Sequence, residues 1–242
     1  MEFILTESEF NEDNTAWNGN RFLMGNGYFG IRGTLEEYTK KQMCAVNMAG
    51  IYDKMGNSWR ESVNAPNPLY TYIKVNGKIY ALPDEKPKFH QQELDFRYGI
   101  HCRVTRWKTE HGDITVICER FASIARQHNI AMKYTFSVDF DCEAEIITGI
   151  DGDVWDINGP HFVKMKIGSK DGADYVTGMT GEKNISVTVK EYIRTDFQAE
   201  QTNQNTDKSI FRHIKFSAKA EKEYIIEKIA EITTSVDDFG TS

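Results

Sequence analysis

The chain has 242 residues, of which 36 are acidic and 29 are basic, so its formal net charge is −7. This acidic balance argues against sequence-independent binding of nucleic acid, which needs a basic face. With 40% hydrophobic and 12% aromatic residues, the chain can bury a sizeable core, and its length suits one large all-β or α/β domain.

The N-terminus lacks the basic and long apolar regions of a signal peptide. No apolar run approaches the roughly 20 residues that a membrane helix needs. The four cysteines have no CxxC spacing: Cys44, Cys102, Cys118 and Cys142. We therefore expect reduced thiols in a cytoplasmic protein, with neither a nucleic acid nor a membrane as partner.

Residues 1–20 combine a short apolar piece with a polar, loop-like run. Four glycines then occur within nine positions: Gly25, Gly27, Gly30 and Gly33. The first three fit the G-x-G-x-x-G pattern of a phosphate loop, which requires a helix directly after them. Gly33 lies where that helix would begin, and glycine there costs about 1 kcal/mol relative to alanine. We therefore interpret the glycines as permitting tight turns while Tyr28 and Phe29 pack.

This interpretation predicts that Gly27→Val or Gly30→Val impairs folding rather than ligand binding. The segment Thr34–Glu37 fits a capping box, so a short helical turn is expected after the glycines. We also expect Arg32 to form a structural ion pair with Glu36.

From residue 69 onward, apolar residues alternate with polar ones, which is the period of a half-buried strand. The predicted strands are residues 69–75, 78–82, 101–108, 114–121, 130–138, 144–150, 163–167, 174–179, 185–189, 210–216 and 222–232. Asn76-Gly77 predicts a type I′ hairpin turn. Residues 222–232 also fit helical spacing, but we interpret them as a strand because the neighbouring segments are strands. Residues 198–209 are polar, and we interpret them as turns. About a dozen strands separated by turn signals indicate an all-β sandwich or barrel.

Residues with catalytic or metal-binding chemistry are scattered. The six histidines show no HxxxH or HxH pairing. Asp151, Asp153 and Asp156 partly resemble a calcium loop, but the other EF-hand positions are missing, so we interpret them as a strand-ending turn. Glu36 and Glu37 form another dense acidic pair. A chain with 36 acidic residues contains such pairs by composition alone, so the pair does not indicate a catalytic site. We expect no catalytic residue, no metal and no cofactor.

Two segments are predicted as loops that carry aromatic residues. Residues 50–68 contain Trp59 and Arg60, and the loop at 151–161 contains Trp155. An aromatic ring can pack on the apolar face of a sugar, and an arginine can donate to hydroxyls or phosphate. The alternative is that both rings pack on the sandwich.

The segment from 21 to 37, RFLMGNGYFGIRGTLEE, resembles the opening motif of glycoside hydrolase family 65, the maltose, trehalose and kojibiose phosphorylases and related hydrolases. Further matching segments follow in family order: NMAGIY at 47–52, ELDFRYG at 93–99, ERFAS at 119–123, IDGDV at 150–154, and the Thr-Thr-Ser at 233–235. Two positions depart from the family pattern. Thr34 stands where asparagine is common, and Val236 where an arginine usually follows Thr-Ser.

The resemblance implies that residues 1–242 form a single N-terminal domain, a large antiparallel β-super-sandwich with many short strands and few helices. The catalytic (α/α)₆ barrel of the family would be absent, so we expect this chain alone to be inactive. The parent enzyme would cleave an α-glucosidic disaccharide with phosphate or water.

By the same resemblance, the domain would support its own barrel, contribute to a homodimer interface and lend a loop to the active-site rim. Substrate contacts would then come from Trp59, Arg60 and Trp155. The alternative is a free-standing carbohydrate-binding module. A domain of a larger enzyme should expose an apolar face, whereas a binding module should show a groove lined by Trp59 or Trp155.

Overall fold

The computed structural model describes residues 3–237. Within them the strands are β1 Ile4–Glu7, β2 Met24–Gly25, β3 Phe29–Ile31, β4 Val46–Asp53, β5 Glu61–Asn64, β6 Thr71–Val75, β7 Lys78–Tyr80, β8 Phe89–Asp95, β9 Ile100–Lys108, β10 Asp113–Ala122, β11 Asn129–Val138, β12 Cys142–Ile150, β13 Phe162–Lys170, β14 Ala173–Thr180, β15 Ser186–Thr195, β16 Glu200–Asn205, β17 Ile210–Ala218 and β18 Glu223–Thr234. One α-helix, α1, spans Thr15–Arg21, and two 3₁₀ turns span Glu12–Asn14 and Lys40–Gln42.

The strands form three antiparallel sheets. The largest has nine strands in the order β1-β8-β9-β10-β11-β18-β15-β14-β13. A five-stranded sheet has the order β16-β17-β12-β6-β7, and a four-stranded sheet runs from β2 to β5. The predicted all-β sandwich is therefore confirmed.

The core lies between these sheets because the strands present apolar side chains at every second position. In β11, for example, Ile130, Met132, Tyr134 and Phe136 are buried, while Lys133 is exposed. One continuous cluster joins all three sheets and includes Phe29, Met48, Ile73, Val116, Tyr134, Ile146, Ile214 and Ile226. The period-two pattern thus sets both the strand and the face that it buries.

The structure confirms the clearest local predictions. All but the first of residues 222–232 lie in a strand, β18, which pairs with β11 on one side and β15 on the other. Asn76 and Gly77 have φ values of 49° and 82°, as a type I′ turn requires, and they join β6 to β7.

Four other predictions are wrong in part. Residues 50–68 are not one loop, because the end of β4 pairs with β5 within them. The pairing shifts register between Asn47 and Tyr52, so these strands lack a regular alternation of apolar and polar residues. Residues 198–209 contain the edge strand β16, whose side chains are all exposed and so carry no apolar period. The polar run before residue 21 contains α1. Residues 34–37 contain a turn at 36–37 and no helix.

Candidate functional site

The glycine-rich segment ends in two buried acids, which meet two buried arginines from β9 and β10. We call Glu36, Glu37, Arg103 and Arg120 the buried ion quartet. Arg103 and Arg120 occupy inward positions of β9 and β10, and the four side chains are between 0 and 2% exposed. Two acids thus face two arginines with almost no contact with solvent.

The pairing within the buried ion quartet is dense. Arg103 Nε lies 3.0 Å from Glu36 Oε2, and its Nη2 and Nη1 donate to Glu37 at 2.7 and 3.0 Å. Arg120 Nη1 donates to Glu36 Oε1 at 2.6 Å, and its Nη2 donates to the carbonyl of Thr34 at 2.7 Å. Both carboxylates are therefore engaged by arginines and present no surface to a substrate.

The electrostatics of the two acids differ. Burial opposes the charge of Glu36, but the Arg120 and Arg103 guanidinium groups outweigh it and lower the pKa of Glu36. Burial raises the pKa of Glu37, against the attraction of Arg103.

The predicted pair of Arg32 with Glu36 is wrong: Arg32 instead donates from Nη2 to the carbonyl of Ala16 at 2.7 Å.

The glycines of this segment differ in what they require. Gly27 has a φ of 90°, a value that favours glycine. A Cβ on Gly33 would lie 2.3 Å from Phe22 Cβ, so this glycine permits the close crossing of two segments. A Cβ on Gly30 would meet no atom closer than 3.9 Å, so the structure has room for alanine at 30, and the effect of Gly30→Val stays a prediction.

Asn26 ties the same segment to the turn between β10 and β11. Its Nδ2 donates to the carbonyls of Ser123 and Gln127 at 2.8 and 2.9 Å. Its Oδ1 accepts from the backbone N–H groups of Tyr28 and Phe29 at 3.1 and 3.2 Å. The side chain that would lie beside a phosphate in a nucleotide loop is thus committed to internal contacts.

A second polar cluster brings together the two segments predicted as loops. We call Asp53, Glu61, Asp156 and His161 the histidine corner. Asp53 ends β4, Glu61 begins β5, and the other two belong to the 151–161 loop. His161 Nδ1 donates to Asp53 Oδ2 at 3.1 Å, and its Nε2 donates to Glu61 Oε1 at 2.7 Å.

Backbone groups complete the histidine corner. Glu61 Oε1 also accepts from the N–H groups of Ile157 and Asn158 at 3.0 and 2.9 Å. Asp53 Oδ1 accepts from the N–H of Glu182, in the β14–β15 turn, at 2.8 Å. The end of β4, the start of β5, the 151–161 loop and the β14–β15 turn are therefore fastened at one point.

Burial opposes the imidazolium of His161, but the hydrogen bonds to Glu61 and Asp53 and the charge of Asp156 outweigh it and raise the pKa of His161. Burial likewise opposes the charge of Glu61, yet the N–H of Asn158 and the ring of His161 lower the pKa of Glu61. Burial raises the pKa of Asp156. The ring of His161 is 0% exposed and the side chain of Glu61 is 7% exposed, so no sugar can reach these groups.

The three residues predicted to contact substrate lie on or beside this corner. Trp59 is 65% exposed. Arg60 Nε donates to Glu182 Oε2 at 2.9 Å, and this hydrogen bond raises the pKa of Arg60. Trp155 is half-buried, and its carbonyl accepts from Asn64 Nδ2. The segments carrying the three residues are thus brought together. Of the histidine corner, only Asp156 gave a signal in the sequence, as part of the acidic run that partly resembles a calcium loop.

A third feature is an exposed apolar surface. Leu23, Phe96, Tyr98, Ile100, Phe121 and Ile124, which we call the apolar surface, are between 36 and 78% exposed. Most of them line a groove of about 530 Å³ at the ends of β8, β9 and β10, and a second groove of about 390 Å³ shares Phe121. Large apolar patches of this kind mark interaction sites.

Among residues 3–237, no helix has the length and apolar character needed to cross a membrane.

Comparison with known proteins gives relatives over nearly the whole chain. A nigerose phosphorylase of Lachnoclostridium phytofermentans is 39% identical over 98% of this chain, and a 1,2-alpha-glucosylglycerol phosphorylase of Bacillus selenitireducens is 36% identical over 90%.

This chain spans only 34% and 29% of those two proteins. A solved structure from the human microbiome, assigned as a kojibiose phosphorylase, superposes with a TM-score of 0.86 at 20% identity, covering 99% of this chain and 33% of its own. That similarity supports the fold. The profile of glycosyl hydrolase family 65, N-terminal domain, matches residues 5–242, and the chain belongs to this family.

Proposed function

We propose that this chain is the non-catalytic N-terminal domain of a larger phosphorylase and supports a catalytic barrel that lies outside these residues. The apolar surface carries the proposal, because six large apolar side chains are exposed side by side. The chain spans about a third of the relatives named above, so those proteins contain additional chain that can cover such a surface. Covering one Phe or Ile side chain stabilises an interface by about 1.5–3 kcal/mol.

The substrate class of the whole enzyme follows from the relatives. They are named as phosphorylases of nigerose and of 1,2-alpha-glucosylglycerol, both α-glucosides. We therefore propose that the whole enzyme is a cytoplasmic homodimer that cleaves an α-linked glucoside with phosphate. Trp59, Arg60 and Trp155 would then lie on the rim of its active site.

A chimera tests the support role. The corresponding N-terminal third of the Lachnoclostridium phytofermentans nigerose phosphorylase is replaced by this chain, and phosphorolysis of nigerose is measured. We expect an active chimera. Phe96→Ser with Ile124→Ser should lower its thermal midpoint and speed its inactivation, because both side chains leave a buried interface.

Ile79→Ser with Phe89→Ser is the control, because both side chains are exposed, at 44 and 39%, and line neither groove of the apolar surface. Equal effects of the two double variants would contradict the proposed docking face. Titration of the chain alone with nigerose, kojibiose and trehalose tests the binding-module alternative. Saturable millimolar binding that Trp59→Ala removes would favour that alternative.

A further inference from the structure

The histidine corner contains a set of donor atoms that the proposed support function does not use. One ring nitrogen of His161 and one carboxylate oxygen each from Glu61 and Asp156 lie within 4.8 Å of one another. We propose that these three residues bind a divalent first-row transition-metal ion, with Asp53 orienting the histidine.

The orientation of His161 fits such a site. Its Nδ1 donates to Asp53 Oδ2 at 3.1 Å, which leaves Nε2 as the nitrogen directed at Glu61. A histidine that binds a metal almost always donates its other ring N–H to a carboxylate or carbonyl, and this contact fixes the tautomer. The Asp53–His161 pair therefore has the arrangement of a carboxylate–histidine–metal triad.

Nε2 and Glu61 Oε1 are 2.7 Å apart and share a proton. Two ligand atoms about 2.1 Å from one tetrahedral ion lie about 3.4 Å apart, so a side-chain shift of under ~1 Å admits the ion. Binding exchanges the Nε2 proton for the metal, and that proton leaves to solvent. Atoms and charge balance without any further reactant.

The charges at the corner also favour a cation. Three carboxylates, from Asp53, Glu61 and Asp156, surround one imidazole, and within residues 3–237 no lysine or arginine forms an ion pair with any of them. Arg60, the nearest arginine in sequence, pairs with Glu182 instead. A doubly positive ion would offset this excess of negative charge.

Asp156 gives independent evidence. Its Oδ1 is buried and has no hydrogen-bond partner, an arrangement that native proteins rarely tolerate without an ion or water. A Cβ on Gly159 would lie 2.4 Å from Asp156 Oδ2, so glycine at 159 makes room for this carboxylate. The loop is thus shaped around a carboxylate that has one oxygen without a hydrogen-bond partner among residues 3–237.

The donor set indicates the kind of ion. Imidazole suits zinc, copper, iron and nickel, while carboxylates also accept manganese. Three protein ligands leave one position of a tetrahedral ion for water. Since the ring of His161 is 0% exposed, we assign the ion a structural role, in which it fastens the 151–161 loop to β4 and β5.

Zinc and cobalt are the probes. The chain is stripped with a chelator, and Zn²⁺ binding is measured by calorimetry. We expect one ion per chain and, at a hundredfold excess over the dissociation constant, a rise of about 5–10 °C in the thermal midpoint. Asp156→Asn should weaken binding at least tenfold, and Asp53→Asn about 10–100-fold.

Asp153→Asn is the matched control, because it removes a carboxylate from the same loop whose partners are Lys40 and Lys208 rather than the histidine corner. It should bind Zn²⁺ as the unchanged chain does. Absence of Zn²⁺ binding up to 1 mM (~1000-fold above a micromolar site), or equal affinity of the Asp156→Asn variant, overturns the proposal. The X-ray absorption spectrum of the Co²⁺-loaded unchanged chain gives a second readout that needs no variant. One imidazole with oxygen ligands supports the site, whereas sulfur ligands or several imidazoles place the ion elsewhere and refute it.

Discussion

The buried ion quartet makes a quantitative prediction about stability. Arg120→Met removes one of two positive charges that face two acids, and it also removes the donor to the Thr34 carbonyl at 2.7 Å. Glu36, which is 0% exposed, then keeps only Arg103. Breaking a buried pair from one side costs about 3–5 kcal/mol, because the remaining charge stays buried. We expect a loss of this size in the free energy of unfolding.

The double variant Glu36→Gln with Arg120→Met restores the balance, since Glu37 and Arg103 remain as one pair at 2.7 Å. Its loss should be smaller than the sum of the two single losses by about 2 kcal/mol or more. Equilibrium unfolding in urea, followed by circular dichroism, measures all three variants. If Arg120→Met alone does not fold, the double variant should fold again.

Arg60→Met serves as control, because the pair of Arg60 with Glu182 lies at the surface. It should leave the urea midpoint unchanged within error. The reasoning fails if the quartet variants add within about 0.5 kcal/mol, since the four charges would then act independently.

Three further results are expected. Gly33→Ala should lower the free energy of unfolding by about 1–3 kcal/mol, because its Cβ would lie 2.3 Å from Phe22 Cβ. Gly30→Ala should leave that free energy unchanged, because the nearest atom to its Cβ is 3.9 Å away. Urea unfolding measures both variants. Burial lowers the pKa of His90 to about 3. Because the unfolded chain then binds a proton that the folded chain does not, stability should fall as the pH drops from about 6.5 towards 3, and His90→Gln should reduce the slope of thermal midpoint against pH. Trp59→Ala should change the free energy of unfolding by less than ~0.5 kcal/mol, because the ring is 65% exposed.

The sequence predicts those strands whose two faces differ in polarity. Strand β11 is the clearest case, since buried Ile130 and Met132 flank half-buried Ala131 and exposed Lys133 follows. Strand β16 could not be predicted, because all six of its residues are exposed and only its hydrogen bonds to β17 define it. Periodicity reports burial, so a strand without a buried face gives no signal.

The charged features show a second limit of sequence reasoning. Arg103 and Arg120 occupy inward positions of their strands, yet their partners lie 66 and 84 residues away. His161 is separated from Asp53 by 108 residues and from Glu61 by 100. Spacing arguments recognise only neighbours within one element, so pairs formed by the tertiary fold remain hidden until the sheets are placed.

The position of β18 has a consequence for synthesis of the chain. This twelve-residue strand is the last of the strands within residues 3–237, yet it lies between β11 and β15 near the middle of the nine-stranded sheet. Until it leaves the ribosome, β11 and β15 present open edges, and open edges pair readily with other chains. Chaperone demand should therefore persist until β18 has been synthesised, because this one strand closes both edges at once.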